Sequence, residues 1–163
     1  MVYIGCVLII ILSGMVGKYF SNKYVYRDKF YQFLINLCVY FKSSIGFNHR
    51  KIEELFNDLN EGLGKEFLKE IELLKNICMG AIVNEGEVNT IFNNLNKEER
   101  EIIISRIKQI GLNEDKYEVE KLDQFLEYCK LKKTGYENQR KSMQPLCYKV
   151  SLAIGAVLCI LIV

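Results

Sequence analysis

Both ends of this 163-residue chain lack charge: residues 1–17 and 150–163 contain no Asp, Glu, Lys or Arg. All 22 basic and all 20 acidic residues fall between Lys18 and Lys149, so the net charge of +2 conceals a charged middle capped by two apolar ends. Positive charge is also missing ahead of the first apolar run, Cys6-Val7-Leu8-Ile9-Ile10-Ile11-Leu12, and follows it instead as Lys18, Lys23, Arg27 and Lys29. A secretory signal peptide has the opposite order, so this end reads as an uncleaved anchor with its N-terminus outside.

Signs of catalytic chemistry are equally scarce. There is one histidine, His49, beside Arg50 and Lys51, which reads as a solvated surface residue. The six cysteines, Cys6, Cys38, Cys78, Cys129, Cys147 and Cys159, include no CxxC pair or other metal-ligand spacing, so no metal is expected. Free thiols are expected, with Cys6 and Cys159 in lipid and the rest facing a reducing compartment. Gly62-Leu63-Gly64 lacks the further glycine and Lys-Ser/Thr of a phosphate loop. The carboxylate pairs Glu53-Glu54, Glu98-Glu99 and Glu114-Asp115 stand where helix N-termini are expected, complementing helix dipoles rather than forming an acid–base pair. No catalytic residue, cofactor or enzymatic activity is expected. Strand-like alternation and internal repeats are absent, and proline occurs once, at Pro145.

What is present is helical patterning. Phe30, Phe33, Leu34, Leu37 and Phe41 recur at three- and four-residue steps, and Phe67, Ile71, Leu74, Cys78 and Ile82 make a second stripe after the glycine break. Asn96-Lys97-Glu98-Glu99 has capping-box spacing, with Ile103, Ile107 and Ile110 as the buried face that follows and Gly111 placed to end the helix. A long helix is expected from about Glu114 towards Gln144, striped by Val119, Leu122, Leu126 and Cys129. Its stripe fades after Leu131 into a basic stalk.

The second apolar end, Leu146–Val163, is interrupted only by Lys149, whose ammonium can snorkel to the interface. At ~1.5 Å per residue it reaches roughly 27 Å, slightly short of a ~30 Å hydrocarbon core. Seven basic residues and one acid, Asp28, lie between Lys18 and Lys51; six and one, Glu137, lie from Lys130 to Lys149. Positive flanks stay cytoplasmic, which puts Lys18, Lys23, Arg27, Lys29, Arg140, Lys141 and Lys149, and the middle with them, inside. Tyr19, Phe20, Tyr24 and Tyr26 suit an interfacial aromatic belt, while Phe30, Tyr31 and Phe33 suit a helix core. Nucleic acid is a poor partner, since no basic face with stacked aromatics stands free of the membrane. The chain is therefore read as an all-α, membrane-anchored helical bundle: residues 1–20 an N-terminal transmembrane anchor, 21–145 a cytoplasmic helical domain, and 146–163 a C-terminal transmembrane helix. Ser13 and Gly17, and Ser151 and Gly155, have small-xxx-small spacing and predict an antiparallel pair of membrane helices. Such spacing also arises by chance in apolar stretches.

The layout resembles the stage III sporulation protein AB family of endospore-forming bacteria. The most specific stretch is Cys147-Tyr148-Lys149-Val150-Ser151-Leu152-Ala153-Ile154-Gly155, similar to the family's aromatic–basic step into a final, small-residue-rich membrane helix. Ile110-Gly111 is similar to its Leu-Gly step before the long helix, and Phe33–Leu59 to its first helical pair. Lys42-Ser43-Ser44-Ile45-Gly46-Phe47-Asn48 departs from the family's Glu, aromatic-Gly turn and Thr-Pro-Leu helix start. The resemblance implies a mother-cell membrane protein around the forespore, one of several encoded together that assemble a channel. It also implies a soluble part similar to type II secretion platform domains, hence an adaptor for a cytoplasmic secretion-type ATPase. A generic membrane scaffold, or an acidic-lipid-binding protein, is the alternative that the residues alone leave open.

Overall fold

The computed structural model describes residues 2–48, 54–57, 65–110 and 115–162. His49, the Gly62-Leu63-Gly64 break and the Gly111 stop lie outside the described residues. Helix α1 spans Val2–Asn48, and residues 54–57 form one further helical turn. A 3-10 turn at Lys65–Phe67 leads into α2 (Leu68–Cys78), followed by α3 (Glu85–Ile91), α4 (Lys97–Ile107) and α5 (Asp115–Ile162). Among the described residues there is no strand, and the all-α reading holds.

Two of the helices are longer than hydropathy suggested. Helix α1 continues without a break past residues 20–21, because no glycine or proline stands between Lys18 and Ile45 and the change there is only in polarity. Helix α5 runs through Pro145 instead of stopping near Gln144. A proline forfeits one helical hydrogen bond and costs ~3 kcal/mol, which the 48-residue helix tolerates. The chain divides into two compact units, Met1–Lys29 with Lys133–Val163, and Phe30–Lys132. Neither division falls at 20/21 or 145/146, where the apolar segments meet the charged middle.

The Phe30–Lys132 unit is built around aromatic side chains. Phe30 is fully buried, and its ring centroid lies 6.1 Å from that of Phe33, 5.6 Å from Phe67 and 5.6 Å from Phe92. Phe41 meets Phe56 edge to face at 5.0 Å. Leu34 and Leu37 from α1, Ile71 and Leu74 from α2, Ile103 and Ile107 from α4, and Leu122 and Leu126 from α5 complete the core. Full burial of each such side chain contributes about 1.5–3 kcal/mol, and favourable aromatic pairs add roughly 0.5–1.5 kcal/mol. The α1 and α4 stripes, and the core part of the aromatic run, are thus placed as their spacing predicts.

The second stripe ends one turn early. Gly80 has φ 76°, its N–H donates to the Ile77 carbonyl at 3.2 Å, and the Ala81 N–H donates to the Asn76 carbonyl at 2.9 Å. These bonds close α2 after Cys78, so Ile82, read as a continuation of its buried face, instead stands fully exposed at 104%. Asn84 then caps α3 by accepting the Gly86 N–H at 3.0 Å.

The capping box at α4 forms as its spacing predicts. The Glu99 carboxylate accepts the Asn96 N–H at 3.0 Å, and Lys132 Nζ stands 3.7 Å from it. The Glu99 side chain is only 2% exposed, so this carboxylate joins the start of α4 to α5. Lys42 Nζ makes a comparable link from α1 to α5, donating to both Asp123 oxygens at 2.7 and 2.8 Å. Glu99→Ala is expected to cost about 1–2 kcal/mol, through the lost cap and the stranded backbone donor. Thermal melting should show the loss, with Glu99→Gln, which keeps the acceptor, recovering most of it.

Candidate helix-pairing site

In the other unit, the first part of α1 and the last part of α5 run antiparallel. Gly17 lies against Ser151: a Cβ built on Gly17 would stand 2.9 Å from Ser151 Oγ, 3.0 Å from its Cβ and 3.1 Å from the Cys147 carbonyl oxygen. Gly155 lies in the same way against Ser13, with 2.5 Å to Oγ and 3.0 Å to Cβ. Each glycine admits the partner's serine, so the two backbones approach as closely as small residues allow. The Ser13 hydroxyl does not need that contact, since Ser13 Oγ donates to the Ile10 carbonyl at 3.0 Å. Gly14, one position along, has nothing within 4 Å of a built Cβ, so the approach belongs to one face of α1. Towards the helix ends the Cys159 thiol donates to the Cys6 carbonyl at 3.4 Å. The four small residues singled out in the sequence are therefore brought together, in alternating pairs.

The opposite faces are apolar and exposed: Leu8, Ile11, Leu12 and Met15 on α1, and Leu152, Ile154, Val157 and Leu161 on α5. Two helical stretches, Gly5–Ser44 and Val119–Leu161, are long and apolar enough to cross a membrane.

At the charged end of the pair, the flanking residues separate into two groups. Lys18, Lys23, Lys29, Lys141 and Lys149 are exposed. Arg27 and Arg140 are less accessible. Arg27 is 8% exposed with its guanidinium 5.1 Å from the Tyr136 ring centroid, and Arg140 Nη1 donates to Asp28 Oδ2 at 2.5 Å. Asp28 is 6% exposed, and its second oxygen has no hydrogen-bond partner among the described residues. Two cations, one carboxylate and a tyrosine face thus form a polar plug between the helices, buried except at Arg140, whose side chain is 36% exposed. Leaving either member of the Asp28–Arg140 pair alone in such surroundings carries a desolvation penalty, which ties the register of the pair to both residues.

Sequence reasoning treated Arg27 and Arg140 as part of a uniform basic flank, counted Asp28 only as its one acid, and gave neither Asp28 nor Tyr136 a role. Two signals were there. Asp28 is the only acid among the first seven cations, and Tyr136 continues the three- and four-residue spacing of the α5 stripe past Leu131.

Beside the plug, Glu137 accepts from Lys133 Nζ at 2.5 Å and from Lys141 Nζ at 2.7 Å, one helical turn on either side. Those two bonds, with the charges behind them, hold its carboxyl down to about 2. A carboxyl lowered on folding adds stability that is present above its unfolded value of about 4.3 and is lost as pH falls towards 2. The carboxyl carbon resonance of Glu137 is expected to titrate in that low range. In Lys133→Gln/Lys141→Gln its midpoint should return towards the ordinary glutamate value.

Among the described residues no group of three His, Cys, Asp or Glu side chains is placed to hold a metal ion. The arrangement offers close packing, buried charge pairing and two apolar outer faces. A family model for stage III sporulation protein AB matches residues 2–163. The chain belongs to the stage III sporulation protein AB family. No curated protein and no solved structure matches it. In this family member, the Cys147–Gly155 stretch that carried the resemblance includes Cys147 and Ser151, both in contact range of Gly17, and Gly155, against Ser13. The residues that signalled membership are also those that bring the helices together.

Proposed function

We propose that this sporulation-family protein is a non-enzymatic membrane component in which the paired ends of α1 and α5 form a two-helix anchor for a cytoplasmic helical domain. The observation that carries the reading is the reciprocal seating of Gly17 on Ser151 and Gly155 on Ser13, in a unit whose outer faces are apolar. A bilayer offers no hydrophobic drive for apolar helices to associate, so close packing of small residues is the contact expected to hold them there. The exposed Lys18, Lys23, Lys29, Lys141 and Lys149 support placing the charged end on the cytoplasmic side. Family membership supports a site of action in the mother-cell membrane around the forespore, alongside the other membrane proteins of the sporulation channel. The helical make-up of the Phe30–Lys132 unit supports a platform or adaptor role, coupling a secretion-type ATPase to that assembly.

Reporters fused at either terminus should read extracytoplasmic, and protease added outside intact cells should spare residues 30–132. Cleavage in that region would overturn the orientation. A pull-down of the full chain from sporulating cells tests the adaptor role: recovery of a secretion-type ATPase with the channel proteins is expected. Recovery of the channel proteins alone would reduce the role to scaffolding.

A further inference from the structure

The Phe30–Lys132 unit carries a groove of ≈ 950 Å³ that none of the foregoing uses. One wall is the 79–84 loop leading into α3, and the other is the outward face of α4. Helix α3 buries none of its own residues, and the loop before it leaves Met79 at 56% and Ile82 at 104% exposure. Ile82 is held out by the Gly80 turn and the Asn84 cap, two ordered features, and not by a lack of structure. Helix α4 has two faces. Ile103 and Ile107 point into the core, while Lys97, Arg100, Ile104 and Lys108 recur at three- and four-residue steps along the groove.

The charges on that wall are unbalanced. Glu101, the carboxylate among the α4 residues lining the groove, stands 3.9 Å from Lys97 and is engaged by it. Arg100 and Lys108 have no carboxylate partner among the described residues, and they flank Ile104 on either side. The groove thus has an apolar floor with a cationic edge running parallel to it.

We propose that this groove docks an amphipathic helix of a partner protein, its apolar stripe resting on Met79, Ile82 and Ile104 and acidic side chains along one edge meeting Arg100 and Lys108. A helix lays apolar side chains at three- and four-residue spacing into such a trough, and methionine adapts its shape to what enters. The cationic edge selects the partner's charge and its direction. A lipid surface fits less well, because the site is concave.

The test places the photoreactive residue benzoylphenylalanine at Ile82 of the full chain, in cells that make it natively. Ile82 touches no core, so the fold is undisturbed. The expected result is a crosslink to one protein, through a peptide with apolar residues at helical spacing and at least two acids beside them. Arg100→Glu with Lys108→Glu is expected to lower the yield about tenfold through two lost exposed pairs. Should that variant melt early, Arg100→Gln with Lys108→Gln takes its place. The same probe at Leu131, also exposed but on α5, should not capture that peptide. A crosslink to lipid, to a second copy, to a peptide without acids, or to nothing would overturn the proposal. So would a yield that the charge changes leave unaltered.

Discussion

Gly17→Leu is expected to push the paired ends of α1 and α5 apart at the Gly17–Ser151 contact. Even the first carbon of a side chain at this position would stand 2.9 Å from Ser151 Oγ and 3.1 Å from a backbone carbonyl oxygen, and the carbonyl cannot rotate aside as a side chain can. Overpacking of this kind costs typically 1–3 kcal/mol, which corresponds to about 5- to 150-fold in the equilibrium between paired and separated helices. The measurement is disulfide formation in membranes between Ser13→Cys and Gly155→Cys, with the native Cys6, Cys147 and Cys159 replaced. A Cβ built on Gly155 lies 3.0 Å from the Ser13 Cβ, under the ~3.5–4.5 Å that a disulfide spans, so a small widening of the pair should let the parent crosslink within one molecule. Adding Gly17→Leu should lower that yield several-fold, whereas Gly14→Leu, with open space around it, should leave it unchanged. Equal loss from both would mean that bulk in the apolar segment matters and the Gly17 contact does not.

Phe30→Ala is the second large effect. The ring is completely buried and has Phe33, Phe67 and Phe92 within 6.1 Å, so truncation removes a packed aromatic and leaves a cavity where elements from three parts of the chain converge. Such changes cost about 3–5 kcal/mol. That is a large share of the roughly 5–15 kcal/mol that holds an ordinary domain folded. Hydrogen exchange of the α2 amides in the full chain should accelerate accordingly, because α2 supplies Ile71 and Leu74 to the same core. Phe30→Leu, which restores most of the volume, should recover more than half of the loss. Slow exchange in Phe30→Ala would show that α2 is held by something other than this cluster.

The elements legible in the sequence were those with a local physical cause. Phe30, Phe33, Leu34, Leu37 and Phe41 follow helical periodicity and all are buried; Asn96 and Glu99 are three residues apart and make their box. The end of α2 was not legible, because Ile82 keeps the period while Gly80, two residues earlier, breaks the backbone. Periodicity describes side chains, and the stop was a main-chain event. Pro145 is the converse case: a local rule disfavours proline inside a helix, and the helix continues past it. For the pairing site, the four small residues could be picked out by spacing. The Asp28–Arg140 pair could not, since those residues are 112 apart in the chain and nothing in either neighbourhood names the other. Charge counting along a flank adds residues up; only the fold tells which cations already have a partner.

The opposed directions of α1 and α5 have an electrical consequence. Every helix carries the summed dipole of its peptides, equivalent to about half a positive charge at its start and half a negative charge at its end. Because Cys159 lies against Cys6, the start of α1 and the end of α5 sit side by side, and their half-charges neutralise each other over a short lateral distance. In hydrocarbon, where isolated charge is poorly screened, that cancellation favours the pair over two separate helices. It also leaves the anchor with almost no net dipole along the bilayer normal. In the orientation proposed above, a transmembrane voltage acts on charge displaced along that normal. Changes in membrane potential would then exert little force on this anchor, which should hold its position in an energised or a depolarised membrane alike.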